Sequence, residues 1–172
     1  MRSANLPDVT VPAIVPLAGE ADAAAVSDWI WMEWARHEPG VSRADSDACV
    51  HAALQGAQVP YFVVARSDGV PVGCASIVAT DLPTRPDLGP WLANVYVQPT
   101  WRGRGLGTAL TERAMAYGAQ FADVLYLYTS GSTALYERLG WRPHDTGHYA
   151  GRAIAILRYS VGCPRVARSG ER

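Results

Sequence analysis

The stretch that most constrains this chain runs from Leu92 to Leu110, where a strand, a glycine-rich loop and a helix follow one another directly. Val95, Tyr96 and Val97 form an apolar run typical of a buried strand, and Pro99 ends it. A helical pattern begins inside the loop, with apolar residues on one face: Leu106, Ala109, Leu110, Ala114 and Tyr117. Such a loop predicts an anion site, because backbone N–H groups and the helix dipole converge there.

The loop reads RGRGLG over residues 102–107, and its residues distinguish three kinds of phosphate loop. A Walker A loop needs a lysine, and this chain contains none. A dinucleotide-binding G-x-G-x-x-G loop that begins at Gly103 would need a glycine where Thr108 stands. The third pattern, [Q/R]-x-x-G-x-[G/A], is matched. Arg102 and Arg104 add two positive charges suited to a diphosphate.

Charge is divided unevenly along the chain. Residues 1–87 hold 11 acidic residues and 5 arginines, a net charge of −6, whereas residues 88–172 hold 5 acidic residues and 10 arginines, a net charge of +5. The basic half contains the phosphate loop, and the acidic half is free to meet a cation. The alternative is that these charges are scattered over a solvated surface. The arginines form no stripe, so nucleic acid is not an expected partner.

Length and composition predict one domain over residues 1–172, with flexible ends at 1–11 and 160–172. The order of predicted elements is β α α β β β α β α β β, a mixed sheet with helices on both faces. Ser42 is the predicted N-cap of the second helix, and Asp68-Gly69 marks a hairpin.

Composition also predicts a cytoplasmic protein without a membrane span. No apolar run approaches the roughly 18 residues that a span requires, and Pro12 and Pro16 interrupt the N-terminal apolar stretch, which makes it a poor signal peptide. The scattered positions of Cys49, Cys74 and Cys163 suit neither a zinc site nor a disulfide framework. We therefore expect no metal.

A second motif lies about 30 residues after the loop. Residues 134–141, ALYERLGW, resemble the [LF]-Y-x-x-x-G-[FW] part of a signature of the GCN5-related N-acetyltransferases (GNAT family), whose pyrophosphate loop has the third pattern above. The resemblance extends from Tyr61 to Tyr159. It implies the α/β (α+β) GNAT fold, with a mixed sheet of six to seven strands, about four helices, splayed central strands and acetyl-CoA between those strands.

The resemblance also implies which residues bind acetyl-CoA. Backbone groups of Val95, Tyr96 and Val97 would contact the pantetheine and the thioester. The pyrophosphate would lie on the loop residues Arg102, Gly103, Arg104, Gly105, Leu106, Gly107 and Thr108. Many relatives have Asn near the position of Gly131, and Ser130 or Ser132 would take its place here.

Tyr136 corresponds to the family's tyrosine near the cofactor sulfur. With an unperturbed pKa of about 10, it can donate a proton to a leaving thiolate of pKa about 8.5, while backbone N–H groups stabilise the oxyanion. Its alternative role is packing of an amphipathic helix. No cysteine stands at a motif position, so direct attack by the amine is preferred over a covalent enzyme intermediate.

The general base is not at the family's position. Many relatives carry Glu on the central strand, where this chain has Asn94, so the candidates are Glu33, His37, Asp81 or a chain of waters. The first two helices form the acceptor wall in this family. The candidate acceptor contacts are Trp31, Glu33, Trp34 and Asp81. Core packing is the alternative for each tryptophan.

The sequence therefore predicts an acetyl-CoA-dependent N-acetyltransferase that acts on a primary amine of a small, cationic acceptor. One alternative acceptor is a protein N-terminus or a lysine, which would need a groove open at both ends. The other alternative is a CoA-binding module without turnover. Acetyl-CoA and an amine are the expected partners, and a homodimer is left open.

Overall fold

The structure, a computed structural model, describes residues 11–162, and their elements follow the predicted order. The strands are β1 Ala13–Pro16, β2 Tyr61–Ser67, β3 Val70–Val78, β4 Trp91–Val97, β5 Val124–Thr129, β6 Arg142–Tyr149 and β7 Arg152–Ser160. The helices are α1 Glu20–Glu33, α2 Arg43–Leu54, α3 Leu106–Gly118 and α4 Ala134–Arg138, with 3₁₀ turns at Ala35–His37 and Pro99–Trp101.

The strands form one mixed sheet in the order β1-β2-β3-β4-β5-β7-β6. Neighbouring strands are antiparallel except β4 and β5, which are parallel. These two pair at a single position, Trp91 opposite Tyr126, whereas every other pair is matched over at least four residues. The predicted splay of the central strands is confirmed, and the sheet opens between β4 and β5.

A bulge in β4 accompanies this opening. Between the pairs β4 makes with Cys74 and Ser76, two residues of β4, Asn94 and Val95, oppose the single residue Ala75. Asn94 has a left-handed φ of 54°, and its side-chain amide donates to the Ser76 hydroxyl at 2.9 Å. A bulge bends its strand and leaves a residue unpaired, which directs β4 away from β5.

Burial along β4 changes at the same point. The residues from Trp91 to Ala93 are buried, but those from Asn94 to Val97 are only half-buried. The prediction of a buried strand over Val95–Val97 is therefore wrong, because this part of β4 borders the opening and has no neighbouring strand on that side.

The helices cover both faces of the sheet, as predicted. Alternate residues of β2 separate the two layers: Phe62 and Val64 pack with the helices α1 and α2, whereas Val63 and Ala65 pack with α3. Such alternation is expected of a strand buried on both faces. The opening between β4 and β5 is therefore bordered by helices above and below the sheet.

The predicted cap of α2 is confirmed, and α1 buries a charged residue. The Ser42 side chain caps α2 in a capping box with Asp45. The buried face of α1 holds Ala23, Val26 and Ile30 together with a charged residue, Asp22. The Asp22 carboxylate accepts hydrogen bonds from Arg66 of β2. A search for apolar residues cannot identify this buried position, because a charge that has an ion-pair partner occupies it.

The predicted flexible ends fall mostly on residues 1–10 and 163–172, which lie outside the described residues. Ser160, placed in the predicted C-terminal end, is the last residue of β7. Within residues 11–162, no helix combines the length and the apolar content needed to cross a membrane.

Candidate active site

The opening between β4 and β5 leads into a cleft of about 440 Å³. One part of its lining belongs to α1, α2 and their connection, on one face of the sheet. Another part is Tyr136 of α4, which packs with the core on the opposite face. Asn94 and Val95 of β4 and Thr129 of β5 lie between them. The cleft therefore passes through the sheet and joins the two faces.

The glycine-rich loop leads into α3 from the end of β4. Gly105 is the N-cap of α3 with a left-handed φ of 78°, and no side chain caps this helix end. A Cβ atom built on Gly103 or Gly105 would meet no atom within 4 Å. The space before the first-turn N–H groups of α3, those of Gly107 and Thr108 included, is thus open to a phosphate. The residues present fit the predicted pyrophosphate site.

Both loop arginines are held against aromatic rings. Arg102 donates from Nε to the Val97 carbonyl at 2.9 Å, and its Cζ lies 5.9 Å from the centre of the Tyr96 ring. The Cζ of Arg104 lies 5.1 Å from the centre of the Trp101 ring. These contacts fix the two guanidinium groups beside the loop and leave other N–H donors for an anion.

Tyr136 lies in α4 at the cleft wall, half-buried, with its ring 6.4 Å from that of Trp141. Burial raises the pKa of its phenol, so the hydroxyl stays protonated at neutral pH and can donate. The two serines predicted to replace the family's Asn, Ser130 and Ser132, differ in their position relative to the cleft. Ser130 lines the cleft, whereas Ser132 is exposed and accepts the Ala134 N–H at 3.3 Å.

Asp81 is the candidate base that the structure places in the cleft. It follows β3 and is half-buried, and its removal from water raises the pKa of its carboxyl to about 7, with a further contribution from the Glu38 carboxylate. A carboxylate with this pKa can accept a proton near neutral pH. His37 is exposed and hydrogen-bonded to Arg36, and Glu33 is exposed on α1 outside the cleft lining.

Glu38, Tyr128 and Tyr149 are site residues that the sequence did not indicate. The Tyr149 hydroxyl donates to Glu38 Oε2 at 3.0 Å, and the ring centres of Tyr128 and Tyr149 are 5.8 Å apart. Burial, followed by the hydrogen bond to Glu38, raises the pKa of Tyr149 to about 12. Burial also raises the pKa of Tyr128, with Asp81 as the next cause. Glu38 and Tyr149 are 111 residues apart, so no local pattern could have joined them.

Trp29 and Trp31 of α1 and Trp34, which follows its last residue, have different surroundings. Trp29 stacks on Tyr96 at 4.9 Å between ring centres, and Trp34 meets the same ring edge-on at 6.5 Å. Trp34 also lines the cleft, whereas Trp31 packs against the α1–α2 core and does not. Of the four predicted acceptor contacts, the structure therefore brings Trp34 and Asp81 together.

The cleft is lined by carboxylates without a counter-charge. Glu38, Asp45 and Asp81 belong to its lining, and among the described residues that line it there is no arginine or histidine. Asp47, in contrast, pairs with Arg43 outside the cleft at 2.8 Å. The predicted acidic half thus includes a negative cluster at the site. Within residues 11–162, no three His, Cys, Asp or Glu side chains are arranged to hold a metal ion.

A family model described as an acetyltransferase (GNAT) domain matches residues 58–143, half of the chain. That range holds β2 to β5, the glycine-rich loop and Tyr136. A comparison with curated proteins gave no match.

Many solved structures have the same fold. A GCN5-related N-acetyltransferase from Rhodopseudomonas palustris is 24% identical, with 88% of this chain and 97% of that chain covered and a TM-score of 0.61. The ribosomal-protein-alanine N-acetyltransferase of Brucella melitensis is 21% identical, with 86% and 99% covered and a TM-score of 0.65. The phosphinothricin acetyltransferase of Sinorhizobium meliloti, in complex with acetyl-CoA, is 16% identical, with 94% and 95% covered and a TM-score of 0.62. At these identities the likeness shows the fold and leaves the acceptor open.

Proposed function

The chain belongs to the GNAT acetyltransferases, and on this premise we propose that it transfers the acetyl group of acetyl-CoA to the primary amine of a small, cationic acceptor. The observation that carries the proposal is the composition of the cleft. Three acidic side chains, of which Asp81 is partly ionised at neutral pH, and no described basic side chain line the space into which the opening between β4 and β5 leads. Such a cleft attracts an ammonium ion and repels an anion.

The cofactor side of the proposal rests on the loop and on β4. The first turn of α3 and the two loop arginines would hold the pyrophosphate, since the space before Gly105 is open. Beyond Trp91 the edge of β4 that faces β5 has no strand partner, so backbone groups near Val95 would hydrogen-bond to the pantetheine and the thioester. Acetyl-CoA supplies the activated acetyl group.

Asp81 and Tyr136 would carry out the proton transfers. Asp81 takes one proton from the acceptor ammonium, and the neutral nitrogen then forms the amide bond as the carbon–sulfur bond breaks. Tyr136 donates a proton to the leaving thiolate and regains one from the nitrogen as the amide forms. The pKa of Asp81, about 7, suits the first step, and the raised pKa of Tyr136 keeps its proton available for the second.

The walls of the cleft favour a small acceptor over a protein chain. The hydrogen bond between Tyr149 and Glu38 ties β6 to the segment after α1, and Tyr128 packs against the same tyrosine. A polypeptide acceptor would need a groove open at both ends. A bridge between two walls restricts such a groove and leaves room for a compact amine.

The test is acetyl transfer measured as CoA thiol release with cationic, neutral and anionic amines of similar size, at low and high salt. Cationic amines should have the highest kcat/KM, and salt should lower it by screening the carboxylates. Preference for neutral or anionic amines, or no effect of salt, would refute a cationic acceptor. Thiol release that none of these amines accelerates would refute a small amine acceptor and favour a protein acceptor or a CoA-binding module.

A further inference from the structure

We propose that the acceptor carries a second ammonium group, bound at the α2 wall of the cleft by the Ser46 hydroxyl and the carboxylates of Glu38 and Asp45. This inference rests on the proposed function and deepens it, because it defines the acceptor as a diamine or a larger polycation.

The first observation is the hydroxyl of Ser46. This residue lines the cleft and is 5% exposed, and within the described residues its Oγ has no hydrogen-bond partner. A buried hydroxyl without a partner is uncommon, since serines in helices usually bond to the backbone one turn before. A bound group that donates to Ser46 Oγ would satisfy it.

The second observation is the charge of the same wall. Asp45 accepts two hydrogen bonds from Ser42, both at 2.7 Å, and these bonds lower the pKa of its carboxyl and keep it charged. Glu38 accepts one from the neutral hydroxyl of Tyr149. Among the described residues, the hydrogen-bond partners of both carboxylates are therefore neutral. An ammonium supplies three N–H donors and the missing positive charge.

The position of Ser46 separates this group from the reacting nitrogen. Ser46 belongs to α2, on the face of the sheet that α1 and α2 cover, whereas Tyr136 packs with the core on the opposite face. The reacting amine must lie near the thioester, between β4 and Tyr136. One nitrogen cannot occupy both ends of the cleft, so the group at Ser46 is a second one.

The test compares butylamine, 4-aminobutanol and 1,4-diaminobutane, together with longer diamines, as acceptors. The best diamine should exceed butylamine in kcat/KM by at least about tenfold, the effect of one hydrogen bond to a charged group. Calorimetric binding of the same amines to the CoA-loaded protein should show the same order. In Ser46→Ala the ratio of diamine to butylamine should fall by about tenfold.

The matched control is Thr111→Val, which also removes a buried hydroxyl without a partner, but in α3 and outside the cleft lining. It should leave the ratio unchanged. Thermal unfolding of Ser46→Ala should show no loss of stability, since no hydrogen bond within the protein is removed. Equal kcat/KM and affinity for diamines and butylamine in the wild type, or an unchanged ratio in Ser46→Ala, would overturn the inference. Acetylation of butylamine alone would still uphold the proposed function.

Discussion

Replacement of Asp81 by Asn tests the proton chemistry of the cleft most directly. The amide keeps the size of the side chain but cannot accept a proton from an ammonium. Loss of a general base lowers rates by about 10²- to 10⁴-fold, and we expect a fall in kcat/KM within that range. In the wild type, kcat/KM should rise with pH up to about 7, as the carboxyl ionises, and the variant should lack this rise.

The same pKa shift makes a second, independent prediction about stability. The pKa of Asp81 is raised in the folded protein, so its stabilising effect is complete below the unfolded pKa of about 4 and is lost as pH rises through about 7. A difference of about 3 pKa units corresponds to at most about 4 kcal/mol, and the partial exposure of Asp81 reduces this to about 2 kcal/mol. Asp81→Asn should therefore be more stable than the wild type by about this amount at pH 8, and by little at pH 4.

The assays are thiol release across pH 5–9 and urea unfolding at pH 4 and pH 8. Asp87→Asn is the matched control, because Asp87 lies on the same loop but pairs with Arg85 outside the cleft lining. It should retain the pH profile of the wild type. Normal kcat/KM in Asp81→Asn would show that Asp81 is not the base. No gain in stability at pH 8 would show that folding does not raise the pKa of Asp81.

Three further predictions concern the cofactor and the cleft. Gly105→Val should abolish acetyl-CoA binding in calorimetry, because the side chain would occupy the open space and strain a residue with φ of 78°; normal affinity in a folded variant would place the pyrophosphate elsewhere. Tyr136→Phe should lower kcat by about 10- to 1000-fold with a smaller change in the KM for acetyl-CoA, and an unchanged kcat with chemistry rate-limiting would assign Tyr136 to packing. Tyr149→Phe should raise the KM for the amine more than that for acetyl-CoA, because Glu38 loses the hydrogen bond that holds its carboxylate in position. Equal KM values for the wild type and the variant would show that Glu38 does not contact the acceptor.

The sequence by itself determined the order of the elements and predicts the cofactor side of the site. The phosphate loop is continuous in the chain, so its glycines, its arginines and the helix start can be identified together. The hairpin at Asp68 and the cap at Ser42 are equally local, and the structure has both. Each of these features depends on residues a few positions apart.

The tertiary structure alone decided which side chains line the proposed acceptor side. Glu38 comes from the segment after α1, Asp81 from the loop after β3 and Tyr149 from the end of β6, and only the folded chain brings them together. Whether Asp81 has a pKa near 4 or near 7 depends on its burial and on the approach of Glu38, which no pattern in the sequence records. Local patterns therefore predict the pyrophosphate loop, whereas burial and long-range proximity set the pKa of Asp81, the proposed base.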